Sequence, residues 1–340
     1  MPDAQLAFVD RCVVIDHGSR PPRARVLALV TNSGWRPEQS SDNEDDKRYG
    51  FLAWTENLGF KSHSSAAEWV DRTVGAIKQW PDHKGSLSEH PIAIADSSRE
   101  LIDVHPALSR SEYLAAIDSA KELIRLGESY EVCLTNRFSV RMPRHAAVLT
   151  AQRMRALYLA MRRRNPAPYG ALLWYDDLQA GVASCSPERF LRVTPDKTNT
   201  VSGDRRVEMR PIKGTCRRDP LADSAEDRRR AESLRSDAKE RAENLMIVDL
   251  IRHDLGWIAR GGTVAVPGLM EIESFATVHQ MVSTVCAQLP SDGVGDVGAL
   301  AHCFPPGSMT GAPKRRTTQI IDTLEGPRGV YSGCLGYFSA

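Results

Sequence analysis

Short β-rich runs and stretches with apolar residues at helical spacing are interleaved along this chain, without a regular βαβ rhythm. Phe8 to His17 and Arg25 to Val30 are two β-rich runs separated by Gly18-Ser19-Arg20-Pro21-Pro22, which predicts a hairpin. Residues 36–48 are polar and acidic (Glu38, Asp42, Glu44, Asp45, Asp46), lack periodicity and predict a loop without function. Ala67, Val70, Val74 and Ile77 fall on one helical face, so a helix between Ser65 and Trp80 is expected to pack on the first sheet. Ser109-Arg110-Ser111-Glu112 has capping-box spacing and predicts a helix that ends at Gly127. A second domain is expected to begin near this point, which divides the chain into residues 1–105 and 106–340.

A strand from Tyr130 to Val140 is expected next, followed by a helix carrying Met154, Leu157, Tyr158 and Met161. Strands are then expected around Ala171–Tyr175, Ala180–Ser184 and Arg189–Val193. Residues 217–236 are dense in charge, with Arg228, Arg229, Arg230, Glu232 and Arg235, and predict a solvated helix to which no ligand is assigned. Asp237-Ala238-Lys239-Glu240 repeats the capping spacing and opens a further helix on which Glu240 and Glu243 share one face. Strands and helices mixed in this order predict an α+β fold rather than a doubly wound sheet.

Composition narrows the partners. Among 340 residues, 44 Lys and Arg stand against 43 Asp and Glu, a net charge of +1, so no long-range field points to nucleic acid or an anionic membrane. No stretch approaches the roughly 18 apolar residues of a membrane span. Asp3 and Asp10 stand where a targeting leader would be basic and apolar. The expectation is a soluble, cytoplasmic protein with neither a nucleic-acid nor a membrane partner. Seven cysteines are scattered without a Cys-x-x-Cys pair, which argues against a disulfide framework and a structural zinc site.

Five clusters carry chemistry. Lys213 lies in Arg210-Pro211-Ile212-Lys213-Gly214-Thr215, where proline and glycine hold it on a stiff, tight segment. A lysine buried there can lose its proton and become an amine nucleophile. Ser186-Pro187-Glu188-Arg189-Phe190 supplies an acid, Glu240 and Glu243 supply paired carboxylates, and Val278-His279-Gln280 supplies an imidazole. Pro305-Pro306-Gly307-Ser308-Met309-Thr310-Gly311-Ala312-Pro313-Lys314 precedes a helical pattern, so its backbone N–H groups can receive a carboxylate. Taken singly, each has an ordinary reading: a solvated lysine, a surface acid, a satisfied core histidine, glycines punctuating a turn.

Their order closely resembles the chorismate-utilising enzymes, and within them the branch that makes 4-amino-4-deoxychorismate for p-aminobenzoate and folate. The motifs are SPERF, PIKGT, AENLMIVDL-RHD, VHQMVSTV, FPPGSMTGAPK and GVYSGCLGYFS, and the resemblance is strong from Ser109 to Ala340. It implies an anthranilate-synthase-like fold of packed antiparallel β-sheets with helices outside. It implies that Lys213 attacks C2 of chorismate while the C4 hydroxyl departs, leaving a covalent intermediate that ammonia displaces at C4. Glu188 matches the acid that assists at C4. Glu243 matches a magnesium ligand, and Glu240, one turn earlier, a holder of bound water. His279, Thr215, Thr310 and Gly311 are the implied substrate-binding positions, with Thr310 and Gly311 receiving a substrate carboxylate.

Anthranilate synthases carry alanine where this chain has Lys213, and isochorismate-forming members carry a lysine where it has Glu131, so the resemblance disfavours both activities. Ammonia in the family usually comes from a glutamine amidotransferase subunit or fused domain. No elbow for that chemistry is expected here, because Ser332 precedes Gly333-Cys334-Leu335-Gly336 where the elbow needs glycine. The family strand expected from Val330 to Ser339 leads into an Ile-Arg-Thr arginine and a final helix with a second magnesium glutamate, so the chain reads as incomplete at both ends. The alternatives left open are anthranilate synthase component I and a non-catalytic chorismate-binding or docking module.

Overall fold

The computed structural model describes residues 11–16, 23–28, 68, 70–75, 103–141, 149–196 and 203–338. The chain divides into two compact units, Met1–Ile94 and Ala95–Ala340. In the first, β1 (Arg11–Asp16) and β2 (Arg23–Ala28) pair antiparallel, so the expected hairpin forms. Residues 70–75 are helical (α1), within the expected helix. The acidic segment 36–48 lies outside the described residues.

The second unit begins with β3 (Val104–Pro106), α2 (Arg110–Arg125), β4 (Glu131–Val132) and β5 (Phe138–Val140). The capping box that opens α2 is complete: Glu112 N–H donates to Ser109 Oγ at 3.3 Å, and Ser109 N–H donates to Glu112 Oε2 at 2.8 Å. Gly127 follows the helix with φ of +78°. Helix α3 (Ala151–Arg164) lies against the hairpin β6 (Tyr169–Tyr175) and β7 (Ala180–Ser186), with Met154 buried at the contact.

The main sheet contains β8 (Arg189–Pro195), β9 (Arg205–Arg210), β10 (Ile212–Arg217), β11 (Ala265–Ser274) and β12 (Val278–Leu289). Strand β12 is its spine, pairing antiparallel with β9, β10 and β11. Val285 pairs with Met209 and Val282 with Ile212, so β9 and β10 are successive parts of one line along β12, interrupted at Pro211. Proline has no N–H to give to a ladder, but its carbonyl still accepts from Ser283 N–H at 3.2 Å.

Two helices follow β10: the charged α4 (Ala225–Ser236) and α5 (Ala238–Ile258). Asp237 caps α5 by accepting from Glu240 N–H at 2.9 Å. Ile247, Val248, Ile251, Leu255 and Ile258 form a helical stripe that packs on Val207, Met209, Val285, Ala287 and Leu289 of the sheet. Each such side chain contributes about 1.5–3 kcal/mol by leaving water. Buried Asn244 adds a polar tie: its Nδ2 donates to Met281 O at 3.3 Å, and its Oδ1 accepts from Ser283 Oγ. Helix α6 (Asp296–Cys303), a 3-10 turn at Gly307–Met309, β13 (Gly311–Ala312) and α7 (Lys314–Glu325) complete the order.

The architecture is α+β, with antiparallel pairing throughout the described strands. Two strand expectations are corrected. The single strand from Tyr130 to Val140 is instead β4 and β5, because β4 pairs with β13 while β5 pairs with β3. Between them the backbone bonds elsewhere: Thr135 N–H donates to a Glu325 carboxylate oxygen at 2.5 Å, and Leu134 O accepts from Tyr113 Oη at 3.2 Å. Residues 330–338 form a turn and irregular chain rather than a strand. They find no ladder partner among the described residues, and a lone strand has no hydrogen bonds to hold it.

The β4–β13 contact depends on Gly311. Its φ is +126°, and an added Cβ would collide with the Glu131 carbonyl and stand 2.9 Å from Thr317 Cγ2. Gly311→Ala is expected to destabilise this unit by at least about 2 kcal/mol, through backbone strain and overpacking. Urea unfolding checks it; an unchanged midpoint would show that the two short strands need not meet this closely.

Candidate active site

Lys213 sits in a distortion of the sheet. The β10–β12 register shifts between Ile212 and Thr215, and Gly214 within that bulge has φ of +95°. A bulge turns a side chain out of the regular alternation, and glycine accepts the left-handed backbone. Helix α5 lies close beneath: a Cβ on Gly214 would stand 3.2 Å from Glu240 Cβ. The ammonium of Lys213 reaches β4, where Nζ donates to Glu131 Oε1 at 2.8 Å. The two side chains are 18% and 17% exposed, so this ion pair is largely withdrawn from water.

The strand around Glu131 is firmly placed. Besides the ladder to β13, Tyr130 N–H donates to Ala312 O at 2.7 Å and Cys133 N–H to Thr310 O at 3.0 Å. Glu131 Oε2 is buried and has no hydrogen-bond partner. Burial disfavours the charge on Lys213, but the hydrogen bond and charge of Glu131, joined by Cys133 and Glu243, outweigh it and raise the lysine pKa. The amine expected from burial is therefore an ammonium in the resting site, because its neighbours are acidic.

Glu188 occupies the turn between β7 and β8. Its Oε1 accepts from Ser308 Oγ at 3.0 Å. Burial pushes its pKa up to about 7, against the opposing influences of Ser308, the Ile212 N–H and the Lys213 charge. Its carboxyl lies close enough to the Ile212 N–H and to the Lys213 charge to feel both. On α5, Lys239 Nζ lies 2.9 Å from Glu243 Oε1 and 3.4 Å from Glu240 Oε1. Two carboxylates already sharing a cation suit a hard ion such as magnesium, which commonly takes one or two protein carboxylates and keeps waters. Among the described residues no group of three His, Cys, Asp or Glu side chains could hold a metal.

The other expected residues are engaged within the protein. Thr310 Oγ1 donates to Pro306 O at 3.0 Å and its N–H to Gly307 O at 3.2 Å, so neither is a free donor for a carboxylate. Gly311 serves the close β4–β13 approach. Thr215 Oγ1 accepts from Gln280 Nε2 at 3.5 Å, at the limit of a hydrogen bond. His279 is 2% exposed, with Nε2 3.0 Å from Asp227 Oδ1 and Nδ1 2.8 Å from Ser274 Oγ. Both ring nitrogens are occupied, which is the ordinary satisfied core histidine. Bonds from Arg218 hold the Asp227 carboxyl far below its usual range; burial opposes, and the N–H groups of Asp223 and Asp219 and His279 add to the lowering.

The structure thus brings Glu188 and Glu243 each within electrostatic reach of Lys213 and adds Glu131 and Ser308, which sequence reasoning did not assign. The available signal for Glu131 was a lone charge inside the apolar run Tyr130-Glu131-Val132-Cys133-Leu134. A largely buried lysine ammonium paired to Glu131, with an acid of near-neutral pKa close by, stands on a bulged antiparallel sheet; charged groups perturbed together in this way mark a candidate active site. The chain belongs to the chorismate binding enzyme family, whose pattern it matches over residues 2–340. It is 41% identical over 339 residues to an aminodeoxychorismate synthase of Streptomyces griseus, covering 99% of this chain and 39% of that protein. It is 39% identical over 233 residues to aminodeoxychorismate synthase component 1 of Escherichia coli (strain K12), covering 68% of this chain and 47% of that protein. The chain therefore spans less than half the length of these relatives. Its fold matches anthranilate synthase component I from Streptococcus pneumoniae TIGR4 with a TM-score of 0.62 and 26% identity, over 82% of this chain and 55% of that one.

The raised carboxyl has a defined sign. Native Glu188 keeps its proton up to about pH 7, whereas the unfolded group loses it near 4.5. Its contribution to stability is therefore present below about pH 4.5 and lost as pH rises toward 7. Carbon-detected NMR of the Glu188 carboxyl should titrate near 7, and Ser308→Ala should move that titration upward by removing a donor to the ionised form. A midpoint in the ordinary carboxylate range would refute this environment.

Proposed function

We propose that this chain is the chorismate-aminating part of an aminodeoxychorismate synthase, a transferase that makes 4-amino-4-deoxychorismate on the way to p-aminobenzoate and folate. The observation that carries the reading is a lysine side chain, Lys213, set in a β-bulge with its charge in reach of a near-neutral acid, Glu188. Lys213 adds to C2 of chorismate, and Glu188 gives its proton to the departing C4 hydroxyl. Ammonia then forms the C4 bond and releases the lysine. An alanine in place of Lys213, as the sequence resemblance implies for anthranilate synthases, provides no such nucleophile.

Glu243, with Glu240, would hold magnesium, whose charge neutralises and orients a substrate carboxylate. Lys239 occupies that position electrostatically in the protein alone. The ammonia source is a glutamine amidotransferase, as a subunit or fused domain, a reading supported by the component 1 name of the Escherichia coli relative. A cytoplasmic setting fits the free thiols of Cys133, Cys185, Cys216, Cys286, Cys303 and Cys334. No described helix is long and apolar enough to cross a membrane.

The test uses the full-length protein with chorismate, magnesium and ammonium. The product should keep its enolpyruvyl group, with no pyruvate released, and mass spectrometry after quenching should find the adduct on Lys213. Pyruvate release would assign the anthranilate reaction instead, and chorismate binding without turnover would assign a non-catalytic module. Glu243→Gln should raise the magnesium concentration needed for half-maximal rate, whereas Glu188→Gln should lower turnover by roughly 10²-fold or more with metal dependence retained. Equal metal shifts in both variants would reject this division of roles.

A further inference from the structure

Resting on the proposed reaction, the ion pair across β4 and β10 raises a question of protons. An ammonium has no lone pair, so Lys213 must lose a proton before it can bond to carbon. The groups facing it are Glu131 and Cys133 from the β4 region, Glu188 from the β7–β8 turn and Glu243 from α5. Ser308 already donates to Glu188, which the reaction needs as an acid at C4. Burial raises the pKa of the Cys133 thiol, leaving it a protonated neutral group. Among these groups, Glu131 alone is hydrogen-bonded to Lys213 Nζ, at 2.8 Å.

We infer that Glu131 is the general base of the reaction: it takes the Lys213 proton as chorismate binds and returns it when the lysine is released. The geometry supports this on two counts. The donor and acceptor are already hydrogen-bonded, so transfer needs no rearrangement. Glu131 Oε2 is buried without a partner, so the Lys213 ammonium is the one side chain hydrogen-bonded to this carboxylate among the described residues. Both side chains are more than four-fifths withdrawn from water, where moving one proton removes two poorly solvated charges together.

The step balances. A proton passes from Nζ to Glu131, the freed lone pair forms the N–C2 bond, and the two conjugated ring double bonds each move one bond toward C4. The C4–O bond breaks, and its oxygen takes the Glu188 proton to leave as water. When ammonia bonds to C4, the C2–N bond breaks and the released amine recovers its proton from Glu131. Glu188 takes a proton from the new ammonium at C4, and both acids end as they began.

The experiment measures single-turnover formation of the Lys213 adduct in the full-length protein near pH 7, with chorismate and magnesium and without ammonia. Wild type must show the adduct; its absence would remove the proposed function itself. Given that adduct, Glu131→Gln should form it roughly 10²-fold more slowly while binding chorismate as wild type does by calorimetry. Glu131→Ala should be equally slow and should regain rate with added formate, which supplies a carboxylate in the space left, whereas the glutamine variant should not respond. Adduct formation at the wild-type rate in Glu131→Gln would overturn the inference. So would an alanine variant that binds chorismate but ignores formate, because a merely structural glutamate is not replaced by a diffusing base.

Discussion

The site depends on one interruption in the sheet. From Arg205 to Arg217 the chain runs along β12 as a single line, but Pro211 removes one ladder donor and Gly214 takes a backbone that a side chain would strain. Between these two residues Lys213 is turned out of the regular alternation and toward β4. The surrounding packing is ordinary: an apolar stripe of α5 on the inner face of β9 and β12. That core makes the break tolerable, because a strand held along β12 on both sides of a bulge keeps its register on each side. The acid and the carboxylates are then brought to the lysine by separate elements: a turn, a short strand and a helix.

The parts of this arrangement that were legible in the sequence are those that local chemistry decides. The capping box at Ser109 and the N-cap at Asp237 mark their helices correctly, since a cap is satisfied within one turn. The stiffness of Pro211-Ile212-Lys213-Gly214 was legible for the same reason. The bulge was not, because it is a relation between β10 and a strand some seventy residues later. Glu131 escaped assignment because its importance lies in what β13 places it against. The segment 217–236 was read as a solvated helix, which most of α4 is. Asp227, buried within it, is explained only by partners on β12 and in the loop before the helix.

That buried aspartate shows why His279 is placed as it is. Arg218 donates to Asp227 through Nε and Nη2, the Asp219 and Asp223 N–H groups add two bonds, and His279 closes the carboxylate from the strand side. A carboxylate with this many donors stays charged, and a charge so enclosed fixes the elements that supply the donors. Arg218 directly follows β10, so the network anchors the far end of the strand that carries Lys213. The imidazole, bonded on both nitrogens, belongs to this anchor. Through that anchor it helps to hold the position of β10.

The protonation states then follow from burial and neighbours acting in opposite senses on two groups. An ordinary glutamate and an ordinary lysine at neutral pH are both charged. Here burial raises Glu188 until it holds a proton to about pH 7, whereas Glu131 and Glu243 keep Lys213 charged despite its burial. For the proposed reaction Glu188 is therefore ready and Lys213 is one proton short. Stripping that proton into bulk water would leave Glu131 as an unpaired charge in a largely dry site, an outcome that costs several kcal/mol. Passing it across the existing hydrogen bond leaves no unpaired charge. The pair that makes the lysine unreactive at rest is thus also the cheapest route to its free amine, so the same contact can store the nucleophile and release it.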